Sequence, residues 1–354
     1  MSPRGMNAGE YGGLIMDNNR RLIVSSFLEQ DFSEQMRDEV RAGLSGPDKS
    51  IPCKYLYDVY GSRLFDEICW TPEYYPTRVE SGILEVCAPV IMRFFSGEGG
   101  DLVEIGSGSE RKIRKLLMAL PRQCLRGLRY VPLDIDEAGI LRSARCLAKG
   151  FPELRIHGIR CDFTRHLHHL PRTRKLIVFL GGTFGNLARD AGVKLLEELA
   201  RAMTADDRLL IGLDTVKPPP VIEAAYNDAS GITRRFNLNI LSHVNRMLGA
   251  DFRTGDFEHL AFYDQERRQV EMHLLARKDL KVRVADLDLE VELERGQSIH
   301  TETSRKFTPA TAEGLFSEAG LQAIEWYADR QAWFFLVELR RAPWYRGHAW
   351  SSAL

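Results

Sequence analysis

Short apolar runs, each followed by a helically spaced segment, recur through the middle of the chain. In DLVEIGSGSERK (101–112), Leu102, Val103 and Ile105 predict a buried strand that runs into Gly106-Ser107-Gly108. Ile113, Leu116 and Leu117 then share one face of a helix. The cycle returns at YVPLDID (130–136) with a helix to Lys149, at IHGIRCDF (156–163), at KLIVFLGG (175–182) and at DRLLIGLD (207–214). KLIVFLGG is apolar almost throughout, as suits a strand covered on both faces of a parallel sheet. Five strands with connections of this length predict a doubly wound α/β sheet.

The flanks read differently. From about residue 21 the pattern becomes helical, with Leu28, Phe32 and Met36 on one face and Val40 after them. Residues 54–78 are dense in aromatics and reach Tyr74-Tyr75-Pro76. Phe65 and Trp70 read as core in a segment closed by the proline, while the tyrosines suit a lid whose hydroxyls meet a ligand. A helix follows over 78–96. KPPP at 217–220 cannot continue a sheet or a helix interior and marks a domain crossing. Beyond it come helices at 221–229 and 232–248, then a meander built from HLAFYD, QVEMHLLAR and LKVRVADLDLEVEL. RGQSIHTETSRKFTP (295–309) leads to a helix at 310–319, and its Glu302-Thr303-Ser304 cluster reads by composition as a solvated loop. A final hairpin, LQAIEWYAD with AWFFLVELRR, completes the first sheet. The expected organisation is a disordered lead (1–20), an inserted α+β domain (21–76 with 218–304), a core domain (77–217 with 305–341) and a tail (342–354).

Composition removes several classes of function. A net charge of −1 builds no field for nucleic acid, and no apolar run approaches the ~20 residues that cross a membrane. The start has no signal-peptide core, and Cys53, Cys69, Cys87, Cys124, Cys146 and Cys161 form no CxxC pair. A cytoplasmic protein with reduced thiols is expected, and a monomer. His166, His168 and His169 lack an HExxH arrangement, so no metal is expected. There is no GxSxG elbow and no P-loop. The glycine turn could be a plain tight turn, but Asp134 ends the next strand where an acid can hold ribose hydroxyls. The missing third glycine argues against a dinucleotide, and S-adenosylmethionine, which lacks a pyrophosphate, fits better.

YDVYGSRLFDEI, PEYYPTR, EIGSGSERK, PLDID, CDF, GGTFGN, AAYND, FNLN and HTETSRKF occur in one order. Together they resemble the histidine-specific Nα-methyltransferases of the ergothioneine pathway, from about residue 25 to residue 341. That resemblance implies a Rossmann-like class I methyltransferase with an inserted substrate-binding domain. It implies transfer from S-adenosylmethionine to L-histidine, up to the trimethylated betaine hercynine, by SN2 attack of the neutral α-amine. By motif, it places cofactor contacts on Gly106, Lys112, Asp134, Asp162 and Phe163. It places substrate contacts on Tyr75, Asn186, Tyr226, Met272, Glu302 and Ser304. In that scheme Asn186 and Tyr226 hold the histidine carboxylate, and Glu302 and Ser304 hold the imidazole. Because the α-amine must lose a proton before each attack, Tyr75 is taken as the catalytic candidate that, itself or through a water beside it, relays that proton. Gly182 and Phe184 depart from the family's usual serine and isoleucine, so Phe184 could narrow the site and admit tryptophan or a modified histidine instead. A non-catalytic S-adenosylmethionine-binding scaffold is the rival from another class.

Overall fold

A computed structural model of the chain describes residues 12–16, 21–28, 32–97, 99–343 and 345. Strands β1 (Gly12–Met16) and β2 (Leu22–Ser26) precede helix α1 (Phe32–Ser45). The two-residue β3 (Lys49–Ser50) and helices α2 (Val59–Ile68) and α3 (Tyr75–Ile91) follow. Next comes the alternating region: β4 (Gly100–Ile105), α4 (Arg111–Met118), α5 (Arg122–Leu125), β5 (Leu128–Asp134), α6 (Glu137–Gly150) and β6 (Arg155–Arg160). It continues through β7 (Lys175–Phe179), α7 (Arg189–Ala202) and β8 (Arg208–Asp214). The insert holds α8 (Pro219–Tyr226), α9 (Ile232–Leu248), β9 (Phe257–Asp264), β10 (Gln269–Ala276), β11 (Leu280–Val284), β12 (Leu289–Leu293) and β13 (Ser298–Arg305). The chain closes with α10 (Pro309–Glu318), β14 (Leu321–Ala328) and β15 (Phe334–Arg341).

The larger sheet has the order β1-β2-β6-β5-β4-β7-β8-β15-β14. Strands β2 through β8 in that order run parallel, and β15 returns antiparallel to β8. Strand order reverses at β4, so the carboxyl ends of β4, β5 and β7 open onto a switch-point crevice. Apolar side chains alternate to two cores, one around Leu102 and Leu176 and the other around Val103 and Ile177. This is the expected class I methyltransferase fold. No helix among the described residues is long and apolar enough to cross a membrane.

The smaller sheet has the order β3-β13-β10-β9, and β11 and β12 form a separate two-stranded ladder. The expected single meander is therefore split. The polar Glu302–Ser304 segment is a strand and not a loop, since it pairs residue by residue with Met272, Glu271 and Val270 of β10, while β3 covers the other side of β13 at Ile299 and His300. A third core draws on residues 36–75 and 222–299, from Met36 and Tyr75 to Ile222 and Ile299.

Three further expectations change. Leu22–Ser26 belongs to the larger sheet and not to a helix of the insert, because Leu22 and Val24 are buried against its core. Gly12–Met16 of the expected disordered lead pairs with β2, while residues 1–11 and 17–20 lie outside the described residues. Pro76 opens α3 and does not close the aromatic segment; its fixed φ suits a first helical turn. Trp70 is 73% exposed, with the Arg111 guanidinium 4.7 Å over its ring, whereas Phe65 packs against the core.

The two crossings into and out of the insert lie side by side. Thr215 bridges in parallel to Phe307, the Phe307 amide donates to the Asp214 carbonyl at 2.8 Å, and the Val216 amide donates to the Phe307 carbonyl at 3.1 Å. This places Asp214, Lys217, Ser304 and Lys306 at the sheet's carboxyl edge, where both domains meet.

Candidate active site

The glycine turn after β4 has the conformation its residues allow. Gly106 (φ +68°) and Gly108 (φ +24°) occupy the left-handed region, and a Cβ on either would meet nothing within 4 Å. Between them, the buried Ser107 hydroxyl has no hydrogen-bond partner. Open space over two glycines with an orphaned hydroxyl fits a ligand laid against the turn. Asp134 stands beside it, accepting from the Gly108 amide at 3.3 Å and the Asp136 amide at 3.0 Å. Burial pushes its carboxyl up and these amides pull it back only in part. Each oxygen keeps a lone pair for a ribose hydroxyl.

Lys112 is paired with Glu80, a fully buried carboxylate whose other oxygen accepts from the Gly181 amide at 2.8 Å. This pair fixes the ammonium over the exit of β7, and its remaining N–H groups can meet a carboxylate. Asp162 is more fully engaged. It accepts from the Thr164 amide (2.9 Å) and hydroxyl (2.6 Å), from Gln35 (3.2 Å) and from Lys54 (3.4 Å). Burial raises its carboxyl, but Thr164 and Lys54 more than reverse that and leave it below the ordinary range. Phe163 packs edge-on against Phe179, with centroids 5.5 Å apart. A cavity of about 460 Å³ is lined by Ile135 and Asp136, which follow Asp134, and by Lys54, which pairs with Asp162, together with Tyr57, His243 and Arg246 among others; neither acid itself lines it.

The expected substrate residues come together at the crossings. Asn186 ends a short 3-10 turn after β7 and donates to Glu302 at 3.2 Å. Met272 is buried and sits directly opposite Glu302 across β10 and β13. The Tyr226 hydroxyl donates to Ser304 Oγ at 2.8 Å. Burial pushes the Glu302 carboxyl from 4.5 up to about 7, against the pull of Lys306, His300 and Asn186. Phe184 corrects an expectation: it stacks on Phe307 (5.7 Å) and meets Phe179 edge-on (6.3 Å) inside a sheet core, so it does not narrow the site.

Sequence reasoning missed a buried charge network under this cluster. Asp214 accepts from Lys217 at 2.6 Å and pairs with Lys306 at 2.9 Å. Lys306 also donates to the Tyr226 hydroxyl and to Ser304 Oγ, both at 2.9 Å. Burial works against the Lys306 charge, but Asp214 and Tyr226 more than offset it. Burial lowers Lys217 to about 8. The only linear signal was that these residues flank the two crossings, and their meeting depends on the Thr215–Phe307 bridge.

Tyr75 belongs to the same network. Its hydroxyl donates to Asp214 at 2.8 Å and accepts from Lys217 at 2.8 Å. Burial, and then Asp214, hold that phenol far above its ordinary range. Asp214 itself is kept below the carboxylate range: burial raises it, and the two lysines outweigh burial. A neutral phenol whose acceptor is a weak base makes a poor proton carrier, which corrects the relay role expected for Tyr75.

A family model described as histidine-specific methyltransferase, SAM-dependent, matches residues 36–341. The chain belongs to this family. The histidine N-alpha-methyltransferases of Mycolicibacterium smegmatis and Mycobacterium tuberculosis are similar to it, at 42% and 39% identity over 313 and 319 residues. Those alignments cover 87% and 89% of this chain and 96% and 98% of the relatives. An L-tryptophan methyltransferase, trpM of Psilocybe serbica, is 26% identical over 86% of this chain and 92% of its own length. The glycine turn and Asp134 are thus parts of an S-adenosylmethionine-dependent methyltransferase.

Proposed function

We propose that this enzyme methylates the α-amine of L-histidine, in successive steps up to hercynine. The observation that carries the reading is the buried Glu302, fixed by Asn186 and facing Met272, one residue removed from Ser304 on the same strand. A buried carboxylate is costly without a donor, and an imidazole N–H supplies one where a phenyl side chain does not. Asn186 and Tyr226 stand within reach of the same space and suit the substrate carboxylate.

S-adenosylmethionine supplies a methyl group already activated on a sulfonium, so the protein's work is alignment and exclusion of water. Gly106, Lys112 and Asp134 orient the donor at the switch point. Tyr75 keeps its proton and offers its remaining lone pair to the substrate amine, which positions the nitrogen and does not deprotonate it. Asp214 and its two lysines hold Tyr75 and Tyr226 in register.

The deciding experiment is a mass-spectrometric assay with S-adenosylmethionine and a panel of free amino acids. Successive additions of methyl to L-histidine are expected. Transfer to tryptophan with none to histidine would overturn the substrate, and cofactor binding without any transfer would favour a scaffold.

A further inference from the structure

The small sheet carries a second polar cluster on the face opposite Met272 and Glu302. Side chains alternate along β10, so Met272 and Leu274 enter the core while Glu271 and His273 point the other way. On β13, His300 and Thr303 are an odd number of residues apart and would face opposite sides of a regular strand. The register shift between Met272 and His273 resets that parity. His300 Nε2 thereby reaches Glu271 Oε2 at 2.8 Å and Thr303 Oγ1 at 3.1 Å.

The donor atoms of Glu271, His273 and His300 all lie within 4.8 Å of one another. Two of these donors are already oriented from behind. Ser298 Oγ meets His273 Nδ1 at 3.1 Å, which leaves Nε2 free to coordinate. Gln269 and Thr303 donate to the two oxygens of Glu271, at 2.5 and 3.2 Å. Metal-ligating imidazoles and carboxylates are held by partners of this kind.

We propose that Glu271, His273 and His300 bind a divalent transition-metal ion of the zinc class, at a site separate from methyl transfer. Two imidazoles with one carboxylate suit zinc or cobalt, whereas magnesium and calcium take oxygen donors. Bound there, the ion clamps β10 to β13 across the irregularity that aims Met272 and Glu302 into the pocket.

Metal-stripped full-length protein titrated calorimetrically with Zn²⁺ should take up one equivalent saturably. Co²⁺ should give the intense visible bands of a low-coordinate site and not the weak spectrum of the hydrated ion. Glu271→Gln and His273→Ala should each remove the stoichiometric step, and Ser298→Ala should weaken it about 10–100-fold. The cobalt spectrum of the unaltered chain does not depend on how the variants fold. No saturable uptake by the unaltered protein would overturn the site. So would uptake that survives both substitutions, or that is lost instead on replacing His168 and His169.

Discussion

Glu302 is the buried carboxylate of the proposed substrate site. With its carboxyl raised to about 7, the folded protein retains a proton between about pH 4.5 and 7 that the unfolded chain has released. Stability of the ligand-free protein should therefore fall as pH rises through that window, by up to about 3 kcal/mol. Urea unfolding from pH 5 to 8 checks this, and Glu302→Gln should flatten the slope. The same substitution should erode the preference for histidine over phenylalanine by about 1–3 kcal/mol in relative kcat/KM. Tyr75 makes a contrasting case. Because its hydroxyl is committed to Asp214 and Lys217, Tyr75→Phe should raise KM while leaving the shape of the kcat–pH profile unchanged. A lost alkaline limb in that profile would restore the relay.

Among the elements, two glycine positions show how backbone sets the site. Gly185 sits in the turn that carries Asn186, and a Cβ there would lie 2.8 Å from the Arg305 carbonyl of β13. That obstacle is backbone and cannot swing aside. Gly185→Ala should separate the turn from β13, pulling Asn186 away from Glu302, and lower histidine affinity together with thermal stability. Gly106→Ala should behave otherwise. Its Cβ meets no protein atom, so the folding cost is only that of a left-handed alanine, about 1 kcal/mol. S-adenosylmethionine affinity should drop by far more than stability does, which calorimetric titration beside thermal unfolding can separate.

At the scale of the molecule, the crossing at Thr215 and Phe307 also lies under the proposed substrate site. Asp214 is a lone carboxylate between two buried ammonium groups, with Tyr75 from α3 hydrogen-bonded to it. Removing it leaves uncompensated charge in the interior, which costs about 3–5 kcal/mol. Asp214→Ala should therefore lower the urea midpoint strongly. Lys306→Met keeps one lysine against Asp214 and should be milder. In both, loss of activity should accompany loosening of the insert against the large sheet, measurable by hydrogen exchange at 214–217 and 304–307.

Local pattern determined much of this protein. The five parallel strands, the glycine turn, Asp134 at a strand end and the proline break at 217–220 follow from periodicity and backbone restriction, both properties of neighbouring residues. The segment motifs pointed to the proposed substrate residues, because each lies in a short recognisable string. Tertiary structure decided what those strings do together. It made Leu22–Ser26 a strand of the large sheet, turned the Glu302–Ser304 loop into a strand paired with β10, sent Phe184 into the core and left Trp70 outside. It also joined Asp214, Lys217 and Lys306, residues up to 92 positions apart in the chain. Burial and long-range pairing depend on which surfaces meet, and a linear pattern records only that a residue is apolar or charged.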